Sequence, residues 1–351
     1  MTSGHSDLLA EKRGALGLVT LNRPQALNAL NDPMVDGLRA ALDEWREDDT
    51  VRHVLIRGTG PKAFCAGGDI RLMHDLGKAG KQDVALDFWA REYRLNSVIQ
   101  HYPKPYIALI DGIVMGGGVG VSLHGSHRLA GPNYLFAMPE VGIGFFPDVG
   151  ASYALPRLKG AVGAWLAVTG ARIRRADALE LGLATHAVRP DCEEELLMHL
   201  MAGVPIEAAL GRISEHEHEA PILGKLDAIN RHFSFGSVGE ILASLEAAGP
   251  EDAFAHETLA GMRAKSPMSM AIAIEQVKRG RDLDFNAAMV MEYRIVSRLV
   301  HDADFYEGVR ALIIDKDNHP HWNPSRIEDV DPAKVAAHFM PLPRDLDLPG
   351  A

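Results

Sequence analysis

With 351 residues, 47% apolar and 24% charged, the chain can bury one large core or two smaller ones and has the composition of a soluble globular protein. The net charge of −11 argues against a nucleic-acid partner, because phosphate binding needs a basic face, but allows an anionic small molecule where cations cluster locally. Two cysteines, Cys65 and Cys192, exclude a disulfide framework; with no signal-like or membrane-length apolar stretch, cytoplasm is the expected location.

In chain order, Ala15 to Leu21 reads as a strand that ends in the turn Asn22-Arg23-Pro24. Asp32 with Pro33 opens a helix whose Val35, Leu38, Leu42 and Trp45 share one face. Val51 to Arg57 is a second strand, running into a glycine-rich loop from Gly58 to Asp69. Gln82 to Gln100 has a helical pattern, and Ile107 to Ile110 reads as a buried strand. After the Asp111-Gly112 turn come Gly116, Gly117 and Gly118, with a helix expected to begin at or near Gly117. Ala161 to Ala187 looks helical on both sides of a turn at Gly170, and helical patterns dominate beyond Pro190. Asp284 to Val300 is the clearest late helix, and a proline- and charge-rich tail precedes a last short one. The change of character near residue 205 divides a mixed region, 1–205, from a mainly helical region, 206–351.

Two glycine-rich loops, each after an apolar strand, could each turn one N–H toward a single oxygen, which is how an oxyanion hole is built. Either loop alone reads more readily as a tight turn; the pair together with the acids that follow favours the oxyanion reading. Beyond them Glu140, in Met-Pro-Glu, and Asp148, in Phe-Pro-Asp, lie in an otherwise apolar stretch. Burial there would raise both pKa values toward the range useful for acid–base or nucleophilic work, although an acid near proline is often only a helix cap. Gly58, Gly60 and Ala63 match a dinucleotide-binding pattern, but Phe-Cys-Ala-Gly-Gly is a poor helix start. No G-x-S-x-G elbow surrounds Ser122. His216 with His218, and His319 with His321, lack a third ligand at recognisable spacing and read as solvated surface, so no metal is expected.

LNRPQALNAL (21–30), AFCAGGD (63–69), DGIVMGGGVGVS (111–122), FAMPEVGIG (136–144) and ADALELGLAT (176–185) together resemble the crotonase (enoyl-CoA hydratase/isomerase) superfamily. The resemblance implies an α/β fold, a crotonase-like spiral of ββα units with a helical C-terminal region, acting on coenzyme A thioesters. Carried over by position, Gly68 and Gly117 would supply the oxyanion amides. Arg23, Ala66 and Gly68 would line the coenzyme A site, with Arg71 near its phosphates. Coenzyme A enters as part of the substrate, so no separate cofactor is expected. Relatives of this kind are commonly trimers or hexamers, which makes a homo-oligomer possible here.

Hydratases of the superfamily use two glutamates around a water. One matches Glu140; the other falls at Gly120, which has no side chain. Asp148 instead stands where hydratases typically have glycine. With Glu92 in REYRLN and the segment DFYEGVRALIIDKD (304–317), this looks like the branch that hydrolyses 3-hydroxyisobutyryl-CoA in valine breakdown. In that reading Glu140 attacks the thioester carbonyl or activates a water, while Asp148, assisted by Glu92, orients the substrate hydroxyl. A hydratase or isomerase using Glu140 alone, and a non-catalytic acyl-CoA-binding protein, are the alternatives.

Overall fold

The computed structural model describes residues 6–348 except His218. Among the described residues eleven strands form two sheets: β1 (Leu8–Arg13), β2 (Leu16–Leu21), β3 (His53–Gly58), β4 (Ala63–Cys65), β5 (Tyr106–Ile110), β6 (Ile113–Met115), β7 (His127–Ala130), β8 (Leu135–Ala137), β9 (Ile173–Arg174), β10 (His186–Val188) and β11 (Ser214–Glu215). The larger sheet runs β1-β2-β3-β5-β7-β10-β11 and the smaller β4-β6-β8-β9. From β3 to β8 each repeat gives one strand to the larger sheet, the next to the smaller, and then returns through a helix or helical turn. Over this span successive strands pair in parallel within each sheet, whereas β1 and β2, β8 and β9, and β10 and β11 pair antiparallel. This is the spiral of ββα units that the motifs imply.

β2 and β5, inside the larger sheet, read as mainly apolar runs because both of their faces are covered. In β2, Leu16 and Leu18 face one core while Val19 and Leu21 face the other; in β5, Ile107 and Leu109 oppose Tyr106, Ala108 and Ile110. Helices Glu193–Met201 and Ile206–Ile213 cover the first face through Leu196, Leu200 and Leu210. Helix α1 (Asp32–Glu47) lies on the second, capped by the Asn31 side chain, which accepts from Met34 N–H. Its Trp45 packs onto β2, where a Cβ at Gly17 would stand 2.4 Å from the indole.

Helix α2 (Ile70–Lys78) follows the first glycine loop, and α3 (Gln82–Gln100) has the expected bounds. Elsewhere the structure departs from the sequence reading. The stretch Gly58–Asp69 is not all loop, since it contains β4, and the three residues after Gly112 form β6. The helix at Gly117 is a single turn, α4 (Gly117–Gly120), too short to carry much of a macrodipole. Within 161–187, Ile173–Arg174 and His186–Val188 are strands, and the helical region beyond Pro190 still adds β11 to the sheet edge. The late helix is Phe285–Leu299, with Asp284 as its cap. It packs against α3, while helix Pro267–Gly280 packs against helix Val162–Thr169. These contacts bring C-terminal residues up to the spiral.

The glycine triplet serves two purposes. A Cβ at Gly118 would meet the Cys65 carbonyl oxygen at 2.2 Å, so this glycine exists for packing. Only Gly116 and Gly117 face the cavity described next.

Candidate active site

In the smaller sheet β4, β6 and β8 are parallel neighbours, so their C-terminal ends emerge side by side. The end of β4 delivers Ala66, Gly67 and Gly68; that of β6 delivers Gly116 and Gly117; that of β8 leads through Pro139 into a short helical turn, Glu140–Ile143. Crevices beyond the carboxyl ends of parallel strands are the usual ligand sites of such sheets. Here these segments, with Glu92, Asp148 and residues from the C-terminal region, line a cavity of about 360 Å³.

The LNRPQALNAL segment buttresses the first loop. Asn28 donates to the carbonyls of Thr59 and Ala63 at 2.9 and 3.0 Å, and Arg23 donates to Asp69 at 2.9 Å. Leu30 N–H donates to Gly67 and Asp69 N–H to the Leu30 carbonyl. These bonds fix the residues on either side and leave the Gly68 amide out of the ladder. Among the described residues neither Gly68 N–H nor Gly117 N–H donates to any protein acceptor. The two loops nearly touch: a Cβ added to Gly117 would lie 3.2 Å from Gly68 N and 2.6 Å from Glu92 Oε1.

Beside these amides sit three carboxyls with little solvent. Glu140 is 7% exposed, Asp148 5% and Glu92 2%. Burial pushes Glu140 well above the ordinary carboxylate range, and the charge of Asp148 adds to the effect. Burial likewise raises Glu92, reinforced by Asp148 and Glu292. Asp148 is raised by burial too, opposed by the 2.9 Å hydrogen bond that Tyr93 donates to its Oδ2. Glu140 Oε2 and Glu92 Oε1 have no hydrogen-bond partner among the described residues. Unpaired buried oxygens are costly, so a ligand that supplies partners would bind with a corresponding gain. Trp89 stacks on Phe145 with ring centroids 5.5 Å apart; together with Phe88, Met73 and Ile313 they form the apolar wall.

The structure thus brings Glu92, Glu140, Asp148, Ala66, Gly68 and Gly117 to one cavity. Arg23 and Arg71 are not among its lining residues. The Arg23 guanidinium is committed to Asp69 and to the Ala29 carbonyl, and Arg71 is exposed on α2. Lys265, absent from the sequence reading, is the cation that lines the cavity; a Cβ at Gly142 would lie 3.1 Å from its Nζ. Burial lowers its pKa, and among the described residues no carboxylate pairs with it. Its signal in sequence is one lysine before a helix cap, which marks nothing. The dinucleotide pattern fails because β4, not a helix, follows Gly58 and Gly60, and a Cβ at Gly58 would strike the Phe64 carbonyl oxygen at 2.5 Å. His216, His319 and His321 are exposed, and His218 lies outside the described residues.

The position of the second hydratase glutamate is closed. A Cβ at Gly120 would lie 2.7 Å from Asn96 Nδ2 and 2.8 Å from Val149 Cβ. Asn96 is fully buried one turn beyond Glu92 on α3, so these two side chains pack on the Gly117 and Gly120 face of α4. Gly120→Glu is therefore expected to lower Tm, at a cost of about 1–3 kcal/mol from overpacking, without conferring hydration of crotonyl-CoA. A gain of hydration with unchanged Tm would contradict this packing.

A family model described as enoyl-CoA hydratase/isomerase matches residues 16–339. The chain belongs to that family. Within it, the mitochondrial 3-hydroxyisobutyryl-CoA hydrolases of Xenopus tropicalis and Danio rerio are 43% and 44% identical to this chain, over 96% and 98% of it and 89% and 92% of their own lengths. The crystal structure of a carnitinyl-CoA dehydratase from Mycobacterium thermoresistibile superposes with a TM-score of 0.93 at 38% identity, covering 99% of this chain and all of that one. An enoyl-CoA hydratase from Rhodobacter sphaeroides 2.4.1 gives 0.92 at 40% identity, covering 98% of this chain and 100% of that one. The fold is thus the crotonase fold. The hydrolase relatives are named as mitochondrial proteins, which overturns the cytoplasmic expectation. The cysteine argument separates reducing from oxidising surroundings, and it does not distinguish one reducing compartment from another.

Proposed function

We propose that this enzyme hydrolyses a short 3-hydroxyacyl-CoA thioester, most specifically 3-hydroxyisobutyryl-CoA, to the free hydroxy acid and coenzyme A, as a step of valine breakdown. The observation that carries this reading is the pairing of Glu140 and Asp148 in one cavity, opposite two unpaired loop amides, with the second hydratase carboxylate position filled by Asn96 and Val149. Family members named for hydration and for hydrolysis share the fold, so the carboxylates must decide between them.

In the proposed reaction the thioester oxygen accepts from Gly68 N–H and Gly117 N–H. As the carbonyl carbon becomes tetrahedral, each donor is worth about 3–4 kcal/mol of transition-state stabilisation. Glu140 either adds to that carbon, expelling the thiolate to leave an anhydride that water then opens, or takes a proton from the water that adds directly. Both routes need the ionised carboxylate and end in acid plus thiol. Because burial raises the Glu140 pKa, kcat/KM is expected to climb with pH through a value above the ordinary carboxylate range, measured as a pH–rate profile. A profile flat from pH 5 to 9 (about the span over which such groups titrate) would oppose this role.

Asp148 would accept the substrate hydroxyl, with Glu92 behind it. Ala66, Gly68 and Lys265 would flank the coenzyme A chain. Arg71 remains a proposed phosphate contact beside cavity-lining Ile70, and Arg23 acts one layer back, through Asp69. Self-association as a trimer or hexamer is proposed on family likeness alone. The reading is tested by following free thiol and enoyl absorbance in parallel: thiol release from 3-hydroxyisobutyryl-CoA with little hydration of crotonyl-CoA is expected. Rapid loss of enoyl absorbance would favour a hydratase, and no thiol from any short acyl-CoA would favour a non-catalytic binder.

A further inference from the structure

The turn that carries Asp148 is held in a conformation its sequence does not favour. Val149 is buried and β-branched, yet has φ 53°, and Gly150 follows at 93°. A β-branched residue with positive φ is an outlier that persists only where its surroundings overdetermine it. They do so here at every residue from Pro147 to Ser152 except Ala151. Glu292 accepts from Gly150 N–H with one oxygen and from Ser152 N–H with the other, both at 2.9 Å. Gln276 Nε2 donates to the Pro147 carbonyl and, at 2.8 Å, to Ser152 Oγ. His124 Nε2–H donates to the Val149 carbonyl at 2.7 Å, and Tyr93 holds the Asp148 carboxylate itself.

Glu292 is fully buried and Gln276 nearly so, on helices Phe285–Leu299 and Pro267–Gly280, and neither lines the cavity. A buried carboxylate is an expensive way to satisfy two amides, and an apolar contact of the same size would serve packing alone. What the carboxylate adds is direction: its two oxygens fix the Val149–Gly150 and Ala151–Ser152 peptide planes, on the C-terminal side of Asp148. Without that hold Val149 can relax toward negative φ, which rotates the Asp148–Val149 peptide and swings the carboxylate away from the acyl group.

We infer that Glu292 and Gln276 are positioning residues that clamp the strained Pro147–Ser152 turn and aim Asp148 at the hydroxyl of the acyl group. The inference rests on the proposed hydrolase reading for its substrate and on the hydrogen bonds alone for the clamp. It also gives the C-terminal helices a part in substrate selection.

The test compares wild type, Glu292→Gln and Gln276→Met on 3-hydroxyisobutyryl-CoA and on isobutyryl-CoA, which lacks the hydroxyl. Hydrogen exchange of the Gly150 and Ser152 amides is followed without substrate. Glu292→Gln keeps one acceptor but turns its amide NH2, a donor, toward the other N–H. It is expected to lower kcat/KM for the hydroxylated substrate about tenfold or more, as misplacement of a reacting group does, and to leave the plain substrate within about twofold. Faster exchange at the two amides should accompany the loss. An equal loss on both substrates, or an unchanged ratio, overturns the positioning role. If Glu292→Gln does not fold, Gln276→Met carries the same two readouts with the same expected direction. Should wild type release no thiol from either substrate, the hydrolase reading fails, and the amide exchange alone then decides whether the clamp exists.

Discussion

Glu140→Gln is expected to lower thiol release by about 10²–10⁴-fold, the usual contribution of a placed general base, while raising thermal stability at pH 8. The two effects share one cause. Glu140 is buried with one oxygen unpartnered, so its ionised form, the form chemistry needs, is the form the fold disfavours. The sign of the stability effect follows from linkage. Below the unfolded value near 4.5 both states hold the proton, and Glu140 makes no pH-dependent difference. Above it the unfolded chain ionises while the folded protein keeps its proton, so stability falls as pH rises toward the raised folded value. Asp148 and Glu92 act in the same direction. Glutamine removes one of these penalties. Tm measured from pH 5 to 9, about the interval in which the raised groups titrate, should therefore show Glu140→Gln gaining on wild type as pH increases. A gap that closes with pH would contradict the buried, pKa-raised state, and near-normal turnover would end the catalytic assignment. Equilibrium dialysis should show coenzyme A still bound.

Asp148→Gly should act on selectivity. A site built to hydrogen-bond a hydroxyl rejects an analogue without one, because the buried acceptor is left unpaired. Wild type is expected to prefer 3-hydroxyisobutyryl-CoA over isobutyryl-CoA by about 10⁴-fold at the limit of such discrimination. Removing the carboxylate should cut kcat/KM for the hydroxylated substrate and leave the plain one unchanged or improved, collapsing the ratio. Glycine is compatible with a turn whose next two residues already have positive φ. The orphaned Tyr93 hydroxyl should cost some stability, read as a lower Tm. Equal losses on the two thioesters would mean that Asp148 holds the fold and not the substrate.

The parts legible in sequence were those whose cause is local. α3 is visible because its apolar residues recur at helical spacing over nineteen residues, and β2 and β5 because strands covered on both faces leave mainly apolar runs. Glu140 and Asp148 stand out as acids within a stretch otherwise given to Phe, Met, Val and Pro. What escaped depends on distant partners. β4, β6 and β8 are three residues each and exist because they pair with one another, not because their own sequence insists on extension. β1 is a charged edge strand of the kind that looks like a polar tail. Glu292 reads as one more polar residue on an amphipathic helix, since the amides it holds lie 140 and 142 residues away. Lys265 escaped for a related reason: it sits outside every motif yet lines the cavity, whereas Arg23 sits inside a family motif and its guanidinium supports Asp69.

The most direct measurement is a crystal structure with a non-hydrolysable analogue of 3-hydroxyisobutyryl-CoA. Its carbonyl oxygen should lie about 2.7–3.1 Å from both Gly68 N and Gly117 N, the range of working oxyanion donors, with Glu140 beside the carbonyl carbon and the hydroxyl on Asp148. An acyl group that leaves those amides free, or that points away from both acids, would contradict the proposed hydrolase.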